Sequence, residues 1–127
     1  MTTVDIRVLL CHDHAVLRQG LARLLDATDG IEVVATAAEG AEGVATAARL
    51  RPDVVLMDLA MPRIDAVSAT RQIAALEPPA RVVILTAFPH PARIRAAIDA
   101  GASAFVLKDA APPELVSAVL AAASGGL

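Results

Sequence analysis

Five short apolar runs rich in β-branched residues alternate along the chain with five longer segments of helical periodicity. Few architectures accept that order. The runs are IRVLL (Ile6 to Leu10), IEVVATA (Ile31 to Ala37), VVLMD (Val54 to Asp58), RVVILT (Arg81 to Thr86) and AFVLK (Ala104 to Lys108), each short and bounded by polar or turn residues, as strands are. The first intervening segment spaces Val16, Leu17, Leu21, Leu24 and Leu25 as one helical stripe, and the second does so with Val44, Ala47, Ala48 and Leu50. Val67, Ile73 and Leu76 follow in the third, Ile94, Ala97 and Ile98 in the fourth, and Leu115, Val116, Val119 and Leu120 in the fifth. A regular βα alternation requires a parallel sheet with helices on both faces and right-handed crossovers.

Turn residues support these boundaries. Gly30 follows the first helix, Pro52 and Asp53 separate the second helix from its strand, EPPA closes the third helix, and Gly101 stands where a left-handed cap ends the fourth. Pro112 and Pro113 open the fifth helix, where a missing N–H does no harm. The expected fold class is therefore α/β, a doubly wound five-stranded parallel sheet of flavodoxin-like strand order 2-1-3-4-5. One domain is expected over residues 4–123. Residues 124–127, SGGL, read as a tail or the start of a linker.

In such sheets the ligand site lies at the carboxyl ends of the strands, beside the switch between strands 1 and 3. Strand 1 ends in Cys11, His12 and Asp13, strand 3 in Asp58, strand 4 in Thr86 and strand 5 in Lys108. Two carboxylates close together repel unless a cation stands between them, and hard oxygen ligands with room for water suit Mg²⁺. The Lys108 ammonium and Thr86 hydroxyl suit an oxyanion such as a phosphoryl group. Asp58 is then the natural nucleophile, because a carboxylate can take a phosphoryl group as an acyl phosphate.

Composition excludes several other classes. With 11 Lys and Arg against 14 Asp and Glu, a formal net charge of -3 and 2% aromatic residues, nothing in this chain favours nucleic acid. The single Cys cannot close an internal disulfide, and no uncharged apolar run approaches membrane-spanning length. A soluble cytoplasmic protein with no membrane contact is expected.

Taken together, LLCHDH, PDVVLMDLAMP, VVILTAF and GASAFVLKD resemble the receiver domain of two-component response regulators, in the style of the NarL/LuxR subfamily of transcription factors. The resemblance covers essentially the whole chain and implies a CheY-like fold. It makes Asp58 the phosphoacceptor, and Asp13, Asp58 and the backbone carbonyl of Ala60 the Mg²⁺ ligands. It assigns Lys108 to the phosphoryl group and makes Thr86 and Phe105 a coupled switch that alters the surface of helix 4, strand 5 and helix 5. It further implies a sensor histidine kinase as phosphodonor, a homodimer on phosphorylation, and DNA contact only through an output domain beyond Leu127. Such a domain accepts a phosphoryl group and is not itself an enzyme in the usual sense, although it can promote its own phosphotransfer and dephosphorylation.

Some positions depart from the family pattern. His12 replaces the first member of the usual acidic pair, whose role is to act on Mg²⁺ through water, so His12 is an outer-shell candidate and the cation site has one negative charge fewer. Arg63 and Ala66 stand where glycines are common, and Pro89, His90 and Pro91 replace acidic residues before helix 4. Cys11 at the end of an apolar strand reads as a packing residue, and His14 as a cap or packing residue of helix 1. A phosphorylation-independent pseudo-receiver, acting as a protein-interaction module, stands as the alternative; the missing acid favours it, while Asp58, Thr86 and Lys108 oppose it. A hydrolase or metal enzyme built on CHDH ranks last, since no Ser or Cys nucleophile has a base and orienting partner at suitable spacing. A zinc site lacks a second cluster of Cys or His.

Overall fold

A computed structural model describes residues 5–60, 66–87 and 90–125. Its elements run β1 (Ile6–Cys11), α1 (Ala15–Asp26), β2 (Ile31–Ala37), α2 (Gly40–Leu50), β3 (Val54–Asp58), α3 (Ala66–Ala74), β4 (Arg81–Thr86), α4 (Pro91–Asp99), β5 (Ala104–Leu107) and α5 (Pro112–Ala123). All strand pairs are parallel, in the order β2-β1-β3-β4-β5. The expected doubly wound fold is thus present. Strand β1 runs one residue further than the sequence suggested, to Cys11, and β5 stops at Leu107, leaving Lys108 just past its end. Arg63, Pro89, the first residue of the expected domain and the last two of its tail lie outside the described residues.

Alternate strand residues feed two cores, one on each face of the sheet. Val8, Leu10, Val54, Leu56, Val83 and Leu85 pack with Leu115 and Val119 of α5 and Leu25 of α1. Leu9, Cys11, Val55, Met57, Val82 and Ile84 pack with Ala47 of α2, Ala69 and Ile73 of α3, and Ala97 of α4. Both faces are covered, which is why the central strands read as unbroken apolar runs. Burying such side chains supplies about 1.5–3 kcal/mol each, set against the ordering of the chain. Helix α1 departs from expectation: its periodic residues Val16 and Leu17 are exposed, and Leu25 alone of its residues is fully buried.

Two glycines matter to the packing. Gly101 has φ +120, the left-handed side where other residues are strained, and a Cβ there would meet the Ala74 Cβ at 2.7 Å. Gly43 lets α2 approach β1 so closely that a Cβ would lie 2.7 Å from the Cys11 Sγ. Strand register then aligns the chemistry. Cys11 pairs with Met57, Asp58 with Leu85, and Thr86 with Leu107, so the carboxyl ends of β1, β3, β4 and β5 reach one edge.

Candidate functional site

The turn after each strand is pinned to its neighbour by the backbone. His12 N–H donates to the Ala37 carbonyl at 2.9 Å, Leu59 N–H to that of Leu85 at 2.8 Å, and Lys108 N–H to that of Thr86 at 2.8 Å. These bonds extend the ladders one step beyond the strands and fix where the side chains of His12, Asp58 and Lys108 start.

Asp58 is 1% exposed, so its carboxylate needs compensation. Lys108 supplies it, with Nζ 2.9 Å from Oδ1 and 3.0 Å from Oδ2. The Ala60 N–H also donates to Oδ1 at 3.0 Å, so the loop after β3 turns back onto its own aspartate. Lys108 is itself a quarter exposed, so its ammonium keeps access to solvent.

His12 is the inward member of its cluster, at 2% exposure, while the Asp13 side chain is 44% exposed. The His12 Nε2 lies 3.6 Å from Asp58 Oδ2, and its Nδ1 lies 3.8 Å from Asp13 Oδ1. Nδ1 accepts the His14 N–H at 3.1 Å. Burial is the largest influence on this imidazole and pushes its pKa down, with Lys108 and His14 acting the same way; Asp58 and Asp13 pull it up. An apolar hollow lined by Leu17, Leu21, Leu85 and Leu115 borders His12 and Lys108.

One nitrogen of His12 and one oxygen each of Asp13 and Asp58 lie within 4.8 Å of one another, a spacing that fits a divalent cation. Thus the sequence-named residues His12, Asp13, Asp58 and Lys108 converge. Thr86 is buried at the adjacent strand end, and its carbonyl ties Lys108 in place. Phe105 is half exposed, at 45%, on the edge strand and paired in register with Ile84, away from the carboxylates. Cys11 is fully buried among apolar side chains, and burial, with Glu42 adding to it, pushes its thiol up to about 12. It is a packing residue, as read from the sequence. His14 occupies the N-cap position of α1 without a side-chain capping bond; its backbone N–H donates to His12 Nδ1, and its ring lies tilted beside the His12 ring with centroids 6.5 Å apart.

Two residues went unnoticed in the sequence. Arg18 Nη1 donates to the His12 carbonyl at 2.8 Å, and Arg93 Nη2 donates to the Leu59 carbonyl at 2.9 Å. They tie α1 to the end of β1 and α4 to the loop after Asp58. Arg18 stands outside the periodic apolar residues of its helix, and Arg93 is 34 residues from its partner. No local signal marks either.

Comparison with known proteins agrees with this geometry. The family model of the response regulator receiver domain matches residues 8–120. The transcriptional regulatory protein LiaR of Bacillus subtilis is 42% identical over 94% of this chain and 57% of its own length, and LnrK of the same organism is 38% identical over 96% and 56%. The chain therefore spans a little over half the length of these relatives. Among solved structures, a LuxR-family response regulator from Aurantimonas is 37% identical with TM-score 0.90, covering 96% of this chain and 87% of that one. The receiver domain of the NarL regulator from Mycobacterium tuberculosis is 34% identical with TM-score 0.91, covering 96% and 98%. With the βα order, the acidic pocket at the β1–β3 switch and this match over nearly its full length, the chain belongs to the response regulator receiver domains, related to those of transcriptional regulators.

Proposed function

We propose that this receiver accepts a phosphoryl group on Asp58 from a sensor histidine kinase and passes the change to the output of a longer regulator. The observation that carries the reading is the buried Asp58 carboxylate, held by Lys108 on both oxygens and set beside Asp13 and His12. An Asp58 oxygen attacks the phosphorus, an O–P bond forms, and the donor's P–N bond breaks with its electron pair returning to the donor imidazole. Lys108 exchanges part of its contact with the carboxylate for the new phosphoryl oxygens, so the positive charge follows the negative one. The Ala60 N–H keeps the carboxylate oriented for attack.

The carboxylates of Asp13 and Asp58, with the carbonyl of Ala60, would hold Mg²⁺, which when bound neutralises charge on the phosphoryl oxygens. His12 leaves that site one carboxylate short, so Mg²⁺ binding is weak for a receiver.

Output follows from a second contact set. Thr86 lies beside the site and would draw toward the phosphoryl group, with Phe105 on β5 repacking in response; differential contact of this kind is what lets a ligand shift two states. The relatives named as transcriptional regulators support an output domain beyond Leu127, through which DNA contact and a homodimer would be regulated. No helix among the described residues is long and apolar enough to cross a membrane, and the reading places the protein in the cytoplasm.

Intact-mass measurement with Mg²⁺ and acetyl phosphate should give one phosphoryl adduct in the wild type and none in Asp58→Asn. The pseudo-receiver reading, favoured by the imidazole at position 12, gains if neither protein is labelled.

A further inference from the structure

His12 brings a nitrogen donor into a cluster that is otherwise carboxylate. It is 2% exposed, with Nε2 facing Asp58 and Nδ1 near Asp13. Acceptance of the His14 N–H by Nδ1 puts the proton of the neutral ring on Nε2. For Nε2 to bind an ion, that one proton must pass to Nδ1, and the His14 amide must give up its acceptor.

This exchange separates ions by chemistry. Mg²⁺ is hard, keeps its waters and gains little from an imidazole, so it leaves the ring as it is. Co²⁺ and Zn²⁺ gain much from nitrogen, enough to draw the ring in. Resting on the reading of Asp13 and Asp58 as the cation site, we propose that the site selects transition ions over Mg²⁺, taking them with His12 Nε2 as a direct ligand beside the two carboxylates, whereas Mg²⁺ is held by oxygen alone. Nδ1–H, once formed, faces the Asp13 carboxylate, the kind of outer partner that fixes a ligating imidazole.

The test is calorimetric titration of the 127-residue chain with CoCl₂ and with MgCl₂, for the wild type, His12→Asp, His12→Asn and His14→Gln. The ratio of Co²⁺ to Mg²⁺ affinity should fall at least about tenfold in both His12 variants and stay within about twofold of wild type in His14→Gln. Nitrogen NMR of the wild type gives a second readout. With Zn²⁺ the His12 proton should move to Nδ1 and the His14 amide should shift strongly, while Mg²⁺ should leave both unmoved; this arm decides the matter even if the His12 variants fail to fold. An unchanged affinity ratio in the His12 variants, an unmoved tautomer with Zn²⁺, or loss of the preference in His14→Gln overturns the proposal. Failure of the underlying site looks different: wild type and Asp58→Asn would then bind either ion equally poorly.

Discussion

Replacing Gly43 with alanine tests how tightly the end of β1 is held. The new Cβ would lie 2.7 Å from the Cys11 Sγ, inside any real contact distance, but only 3.8 Å from the Cys11 Cβ and 3.9 Å from the Met57 Cε. The Cys11 backbone is held, since β1 is hydrogen-bonded to β2 on one side and β3 on the other, and its Sγ could turn aside only into the buried side chains already packed around it. Overpacking of this kind costs up to about 3 kcal/mol, and the better helix propensity of alanine returns about 1, so the single variant should lose about 1–2 kcal/mol. Cys11→Ala removes one buried sulfur and should cost about 1 kcal/mol. In the double variant the clash disappears and the methyl introduced in α2 fills part of the space, leaving only ordinary contacts. Urea unfolding of all four proteins should therefore give a coupling of about 1–2 kcal/mol in favour of the double variant. Additive losses, or a Gly43→Ala protein more stable than wild type, would refute the packing argument and with it the reading of Cys11.

Removing the Lys108 charge with Lys108→Met should tighten divalent binding several-fold, since an ammonium at 2.9 Å from Asp58 competes with the cation; weaker binding in calorimetry contradicts that. The lowered pKa of His12 implies that the unfolded chain takes up its proton first as pH falls, so stability is full above pH 6.5, the ordinary histidine value, and declines below it. Unfolding free energies of metal-free wild type and His12→Gln should diverge below that pH, and parallel curves count against a buried neutral imidazole.

Much of this was readable from residues alone, for physical reasons that differ by element. Strands buried on both faces must be apolar throughout, so VVLMD and RVVILT declare themselves, and topology then brings Asp13, Asp58, Thr86 and Lys108 together without any contact being seen. Periodicity tells which helical residues share a face but not how much of it is covered, so Val16 and Leu17 looked like core and are exposed. The left-handed Arg51 that ends α2, φ 52, has no glycine to announce it; its Nε instead reaches the Ala48 carbonyl at 2.9 Å. The inward turn of His12 depends on an amide two residues on and an arginine six residues on, both set by how α1 leaves the sheet. Sequence offered only an outer-shell role there.

The central claim is that Asp58 carries the phosphoryl group. An acyl phosphate is reduced by borohydride, leaving homoserine in place of the modified aspartate, and peptide mass spectrometry then locates it. After incubation with Mg²⁺ and acetyl phosphate, homoserine is expected at Asp58 and nowhere else in the chain. Homoserine at Asp13, or a phosphorylated protein with Asp58 unmodified, contradicts the claim.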